Sequence, residues 1–231
     1  YWGGGANGRS TWLNVIKAFL GEENTTSQTL QMLEQDRFAA AELYSRLANI
    51  VADMSSQELK QTSMFKGITG GDQITGQHKF RPPFNFVSYA KQFISANLFP
   101  IVNDKTIAFF RRLGIIEWNV RISEEKRDRQ LLEKLTTPEE LSGLLNSALK
   151  ARADLHQRGQ FINAASLDQV EKMYLYRSDP VRAFVDDKME KGADYLVERK
   201  LVYPAFITYC QERRLQPLKP RDFAGQFKQT V

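Results

Sequence analysis

The first eleven residues, Tyr1-Trp2-Gly3-Gly4-Gly5-Ala6-Asn7-Gly8-Arg9-Ser10-Thr11, hold the densest chemistry in the chain. Gly3, four residues, Gly8, a cation and Ser10 give the spacing of a phosphate-binding P-loop, with arginine where lysine is usual. Glycines at these places let backbone N–H groups turn inward around a phosphate, where a Cβ would clash. A helix must then begin at once, so that its positive end and free N–H groups face the anion. Gly3, Gly5, Ala6, Asn7, Gly8, Arg9, Ser10 and Thr11 are therefore the expected nucleotide contacts, and Ser10 is placed to ligate Mg²⁺. Arg9 keeps the lysine's charge but is longer, planar and bidentate. It is expected to preserve nucleotide binding and to slow hydrolysis.

The elements that must hold these groups can be read outward from the loop. Trp12, Val15, Ile16, Phe19 and Leu20 fall at helical spacing, and Gly21 ends the helix. Residues 27–43 read as a second helix. Residues 47–53 then read as a buried strand ending in Asp53. That carboxylate suits the Mg²⁺ shell and the attacking water, or it caps a helix over residues 55–65. Glu58 and Asp72 are weaker candidates for a water-activating base. Residues 66–81 read as a hairpin marked by Gly70-Gly71 and Gly76, with His78, Lys79 and Arg81 near its tip. The tip is either a solvated turn or a grip on DNA phosphates. Residues 92–97 read as another buried strand, closed by Pro100 and ending in Asn97, which either orients water toward a γ-phosphate or holds a turn. Residues 107–118 supply an apolar patch, Arg111 and Arg112, and a third strand. The two arginines are either surface groups or a finger that stabilises transition-state charge at a neighbouring copy's ATP.

Downstream the chain is mostly helical. Residues 126–135 read as one helix. Thr137-Pro138-Glu139-Glu140 opens a longer one that stops at Gly159, and its Leu141, Leu144, Leu145, Ala148 and Leu149 read as a core stripe. Ser166 and Gln169 box the start of a third, and Ser178-Asp179-Pro180 marks a boundary before three short helices.

Composition sets outer bounds. The 231 residues with 42% apolar content allow one large core, or one core plus a small domain. The net charge of +5 permits a nucleic-acid partner but is explained equally by a soluble surface. One cysteine excludes an internal disulfide, and with two histidines no zinc site is expected. No apolar run is long enough for a membrane span, and no signal peptide is visible. Because a P-loop follows a strand, further chain is expected upstream of Tyr1.

Several blocks agree in order and distance. Gly3-x-Gly5-Ala6-Asn7-Gly8-Arg9-Ser10-Thr11, Leu47 through Asp53, Lys66-x-x-Thr69-Gly70-Gly71-Asp72, Asn97-x-x-Pro100 and Phe110-Arg111-Arg112 resemble the superfamily 3 helicase domain of plasmid and phage primase–helicases. Glu140-Leu141-Ser142-Gly143-Leu144-Leu145-Asn146, Ser178-Asp179-Pro180-Val181, Tyr209-Cys210 and Phe223 extend the resemblance over nearly the whole chain. It implies an α/β fold. A P-loop AAA+-like ATPase core, built as a parallel-sheet sandwich, would span residues 1–125. A helical segment packing on it would span 126–177, and a C-terminal winged-helix-like module 178–231. It implies an ATP- and Mg²⁺-dependent DNA helicase or translocase, assembled as a homo-hexamer on single-stranded or duplex DNA. The protein would be plasmid- or virus-encoded, act in the cytoplasm of a prokaryotic or archaeal host, and carry a primase–polymerase upstream. By position, Ser10 and Asp53 would hold the metal and Asn97 would sense the γ-phosphate. Arg111 or Arg112, preferably Arg112, would be the finger in trans. His78 and Lys79, with Arg81, would form the pore hairpin. The alternative is a nucleotide-binding DNA-docking or assembly ring with weak ATPase activity because of Arg9. A P-loop small-molecule kinase explains neither the paired arginines nor the basic hairpin.

Overall fold

The structure is a computed structural model that describes residues 1, 6–190, 192, 196–213, 215 and 217–230, leaving aside the side chain of Arg199. In chain order the helices are α1 (Arg9–Leu20), α2 (Leu30–Gln35), α3 (Ser63–Gly70), α4 (Ile107–Phe110), α5 (Leu131–Leu135), α6 (Pro138–Arg158), α7 (Leu167–Ser178), α8 (Pro180–Lys188), α9 (Arg199–Glu212) and α10 (Pro220–Thr230). The strands are β1 (Thr25–Thr26), β2 (Ala48–Val51), β3 (Gln73–Gly76), β4 (Phe84–Val87) and β5 (Lys91–Ile94). The fold is thus mixed α/β, with a small parallel sheet and many helices.

The sheet has the order β1-β2-β5, all parallel. Tyr1 runs along the free side of β5: its nitrogen donates to the Ile94 carbonyl at 2.7 Å, and the Ala96 N–H donates to the Tyr1 carbonyl at 3.0 Å. That is the bonding pattern of a parallel neighbour. β2 is buried along its whole length, as a central parallel strand covered on both faces must be. Ala48 and Ile50 meet Leu13 and Ile16 of α1 on one face, while Val51 joins the large core on the other. Asn49, fully buried, is tolerated because its amide is satisfied. It accepts from the Gln28 N–H at 2.7 Å, and donates to the Gln28 carbonyl at 2.8 Å and to Gln92 Oε1 at 2.7 Å. This network links the start of α2 to both β2 and β5.

One apolar core runs from Leu30 to Phe223, so the last helices share it with the α/β part. Its junction is aromatic: Tyr174 of α7 stacks on Phe99 at 5.0 Å and meets Phe109 and Phe110 of α4 edge-on. The Tyr174 hydroxyl donates to the Pro100 carbonyl at 2.8 Å. α8, α9 and α10 close around Phe184, Phe206, Tyr209 and Phe223. Among the described residues beyond 178 there is no strand. Nor is any helix of the described residues long and apolar enough to cross a membrane.

Several expected elements differ, each for a physical reason. The helix over 27–43 is broken: Asp36 Oδ1 accepts from the Phe38 N–H at 2.8 Å, and only a 3₁₀ turn, Ala39–Leu43, follows α2. The helix over 55–65 starts only at Ser63. Gln31 Nε2 takes the carbonyls of Ser55 and Gln57, and Leu59 instead bridges to Val102. No strand forms over 115–118; Glu117 is tied by an ion pair to Arg177 of α7. The helix over 126–135 begins at Leu131, because Asp128 Oδ1 accepts from the Gln130 N–H at 2.9 Å. α6 has the expected limits, with Thr137 capping and Gly159 in the left-handed region, yet none of its residues is buried. Leu145 and Leu149 are 46% and 52% exposed, so its leucines form no core stripe.

Lys66, part of the third sequence block, acquires a structural partner. Its Nζ lies 2.6 Å from Asp104, whose carboxylate also accepts from the hydroxyls of Thr62 and Thr106. Lys66, then the threonines, hold the Asp104 carboxyl well below the usual carboxylate range. A depressed native pKa gives stability that is complete above the unfolded value near 3.8 and is lost as pH falls toward the native one. Asp104→Asn is therefore expected to lower the urea midpoint at pH 7. The gap to wild type should narrow progressively when unfolding is repeated below about pH 4.

Candidate functional site

The chemistry assembles at the end of the parallel sheet to which the strands point. Asp53 lies two residues past β2, Asn97 three residues past β5, and the loop leading into α1 lies alongside them. In parallel α/β sheets this edge is where ligands bind, because helix N-termini and strand-end loops meet there.

Gly3 and Gly5 lie outside the described residues. From Ala6 onward the loop is defined. Ala6 has φ 50° and Gly8 φ 87°, both left-handed. Alternation of this kind turns successive N–H groups toward one side and forms an anion-binding concavity. Gly8 is the N-cap of α1. It offers no capping side chain, and the first turn holds no acidic residue. The positive end of α1 is thus left without a charged partner of its own.

Arg9 is the organising side chain. It is only 7% exposed, and its guanidinium is shared among three acceptors. Nη1 donates to the Ala96 carbonyl at 2.6 Å, Nη2 to Asn97 Oδ1 at 2.5 Å, and Nε to Asn7 Oδ1 at 3.3 Å. Burial lowers its pKa from the ordinary value, and the Asp53 carboxylate partly restores it. Asp53 is therefore within electrostatic reach of the loop. Asn7, itself buried, passes the connection on: its Nδ2 donates to the Trp118 carbonyl at 3.0 Å. The Ile122 N–H donates to the Ala6 carbonyl at 2.8 Å. Residues 117–122 are thereby laid over the loop. A methyl placed on Gly8 would meet the Trp118 ring at 3.7 Å and Ile122 at 3.8 Å. The Trp118 ring also meets Tyr1 edge-on at 6.2 Å.

The structure brings Asn7, Arg9 and Asn97 into direct contact, with Ser10 and Asp53 exposed at the same edge and Thr11 half-buried. Ser10 and Asp53 offer hard oxygen donors of the kind Mg²⁺ takes together with phosphate oxygens and water. Among the described residues no group of three or more His, Cys, Asp or Glu could hold a metal by itself. Glu58 accepts from Asn103 Nδ2 at 2.7 Å. Asp72 closes the end of α3, its N–H donating to the Gly67 carbonyl.

The paired arginines separate. Arg112 is half-buried and turned back on its own helix, donating to the Ala108 carbonyl, with Nη2 3.1 Å from where a Gly70 Cβ would stand. Arg111 is exposed. A hairpin forms, but further along the chain than the expected 66–81: residues 66–70 belong to α3, β3 and β4 pair antiparallel from Gln73–Val87 to Gly76–Phe84, and Lys79 and Arg81 are exposed on the connection. His78 stacks on Phe84 at 5.5 Å and lies 4.0 Å from Glu42. Its base is mounted tightly, since a Cβ at Gly76 would press on Ala41 and Phe86 at 3.0 Å.

The sequence did not single out Trp118 and Ile122 as loop partners. Their contacts are backbone-mediated and leave no motif.

The loop thus opens a helix at the strand-end edge of a parallel sheet, with a carboxylate and an amide following neighbouring strands. A model described as a family of unknown function (DUF5906) matches residues 1–112, just under half of the 231. The match takes in the loop, the parallel sheet, the hairpin and the paired arginines. Among solved structures the chain is similar to "The A form apo structure of NrS-1 C terminal region-CTR", at 17% identity and a TM-score of 0.49. The similarity covers 61% of this chain and 33% of that one, so this chain matches about a third of that structure's length.

The shared guanidinium makes a stability prediction. Arg9→Ala leaves the Asn7 amide without its buried cation and uncouples α1 from β5. It is expected to cost about 2–4 kcal/mol in urea unfolding. A loss within error of zero would show that the three contacts do not hold the loop.

Proposed function

We propose that this chain is the ATP-hydrolysing motor domain of a DNA replication protein, a superfamily 3-type helicase or translocase that works as a ring of identical copies. The observation that carries this reading is the meeting of Asn97, Arg9 and the helix-opening loop at one sheet edge, with Asp53 beside them. Tyr1 next to β5, and β5 next to β2, put the amide beside the loop and the carboxylate one strand further. A triphosphate lying over Ala6 to Thr11 would have N–H groups beneath it, the hydroxyl of Ser10 and the carboxylate of Asp53 for Mg²⁺, and the Asn97 amide toward its γ end. A Mg²⁺ held by Ser10 and Asp53 would supply charge neutralisation for attack of water on the γ-phosphate and departure of the diphosphate.

Arg111, exposed past the end of α4, is the better finger for a neighbouring copy. Arg112 is committed to Ala108 and the end of α3. The hairpin cations Lys79 and Arg81, with His78, would hold DNA phosphates in the ring channel. A primase–polymerase upstream and a prokaryotic or archaeal host cytoplasm complete the reading.

One observation favours a second reading, a nucleotide-locked docking or assembly ring with little turnover. The Arg9 guanidinium is already shared among Asn7, Ala96 and Asn97, so it reaches a phosphate only by releasing them. DNA-stimulated phosphate release separates the two readings: the motor shows it and the lock does not. Arg9→Lys is expected to raise turnover, because a lysine cannot span all three acceptors and leaves its charge to the phosphates. An unchanged rate would mark arginine as a competent replacement. Arg111→Ala should abolish turnover while ATP still binds; the same loss from Arg112→Ala alone would return the finger to that residue. Lys79→Ala should lose DNA binding and unwinding yet keep basal phosphate release.

A further inference from the structure

The hairpin tip carries a residue that neither the motif nor the fold requires. His78-Lys79-Phe80-Arg81 is a hydrogen-bonded turn, the Arg81 N–H donating to the His78 carbonyl at 3.1 Å. Its third position is Phe80, with φ 63°. A turn with positive φ only at that place reserves it for glycine or asparagine, and a bulky aromatic there is strained. The strain brings no packing in return. Phe80 is fully exposed, at 103%, and makes no ring contact among the described residues. Yet the frame beneath it is rigid. Gln77 Nε2 donates to the Arg81 carbonyl at 3.1 Å, His78 stacks on Phe84, and Phe84 on Phe86 at 5.5 Å. Pro82 and Pro83 stiffen the return to β4. A strained residue that the surrounding structure over-determines and presents to solvent is the pattern of a ligand contact.

We propose that Phe80 is a stacking platform for a base of single-stranded DNA, with the exposed Lys79 and Arg81 on either side holding the flanking phosphates. The proposal rests on the nucleic-acid reading of the hairpin given above and adds to it a contact with the base itself. Its chemistry is specific. Cations alone track phosphates of any strand, paired or not. An aromatic face takes only an unstacked base, and does so without regard to sequence. The tip thereby favours a single strand over a duplex. A carboxylate beside this turn is that of Glu42, 4.0 Å from His78.

The test compares the intact protein and its variants by anisotropy of labelled oligothymidylate and of an abasic deoxyribose-phosphate strand of equal length. Wild type is expected to bind the base-bearing strand about tenfold more tightly, and Phe80→Gly to lose that preference while keeping its affinity for the abasic strand and its salt dependence. Phe80→Gly should also unfold at an unchanged or higher midpoint, since glycine relieves the left-handed backbone. Loss of binding together with a lowered midpoint would mean that Phe80 is structural, and would overturn the proposal. Phe80→Trp should restore the preference and show fluorescence quenching on binding. If Lys79→Ala abolishes binding but Phe80→Gly binds both strands as wild type does, the stacking contact is refuted and the phosphate grip stands. If wild type binds neither strand, both readings fall together. Binding of wild type to neutral lipid vesicles in place of DNA, lost in Phe80→Gly, would also overturn it.

Discussion

A guanidinium buried to 7% exposure must find acceptors for its donors, and the choice Arg9 makes governs the site. An unpaired buried cation would cost several kcal/mol, roughly the margin by which a domain is stable at all. Arg9 therefore draws Asn7, the Ala96 carbonyl and Asn97 to itself. In doing so it fixes the start of α1 to the end of β5. Asn7 then draws in the Trp118 carbonyl, and through it the segment that Glu117 ties to Arg177 of α7. One cation thus begins a chain of contacts from the loop to the helical half of the molecule. A lysine at the same place would satisfy fewer acceptors and leave this chain weaker. The replacement that looks unfavourable for hydrolysis is, structurally, the keystone of the edge where nucleotide is proposed to bind.

The same economy appears elsewhere. The buried Asn49 amide likewise has its partners in Gln28 and Gln92. The half-buried pair of Lys66 and Asp104 joins α3 to the segment before α4. The aromatic cluster of Phe99, Phe109, Phe110 and Tyr174 joins the α/β part to the helices without charge. Two features stand apart from this closure. α6 buries none of its residues and leaves Leu145 and Leu149 exposed. The hairpin projects a strained aromatic between two cations.

Legibility of the sequence followed the range of the forces involved. The helix after the loop, the capped start and glycine stop of α6 and the Ser166–Gln169 box were all visible, because each is decided within a few residues. Errors arose where a distant side chain outbid local preference. Residues 55–57 looked helical until Gln31 claimed their carbonyls. The leucines of α6 have core spacing, but spacing does not say whether anything faces them. Arg111 and Arg112 are chemically the same in sequence; only the turn of α4 against α3 half-buries one and exposes the other.

The sequence by itself determined the loop's composition, the helix that must follow it, a carboxylate and an amide at the ends of apolar runs, and a basic turn between two strands. These follow from backbone freedom at glycine, side-chain periodicity and turn chemistry, all of which act over a handful of bonds. Tertiary structure decided that Asn97, 88 positions from Arg9, is its partner, and that the Trp118 carbonyl, 111 positions from Asn7, holds the loop. The order of strands in the sheet sets those pairings, and a guanidinium commits to particular acceptors only when burial has removed water as the competitor.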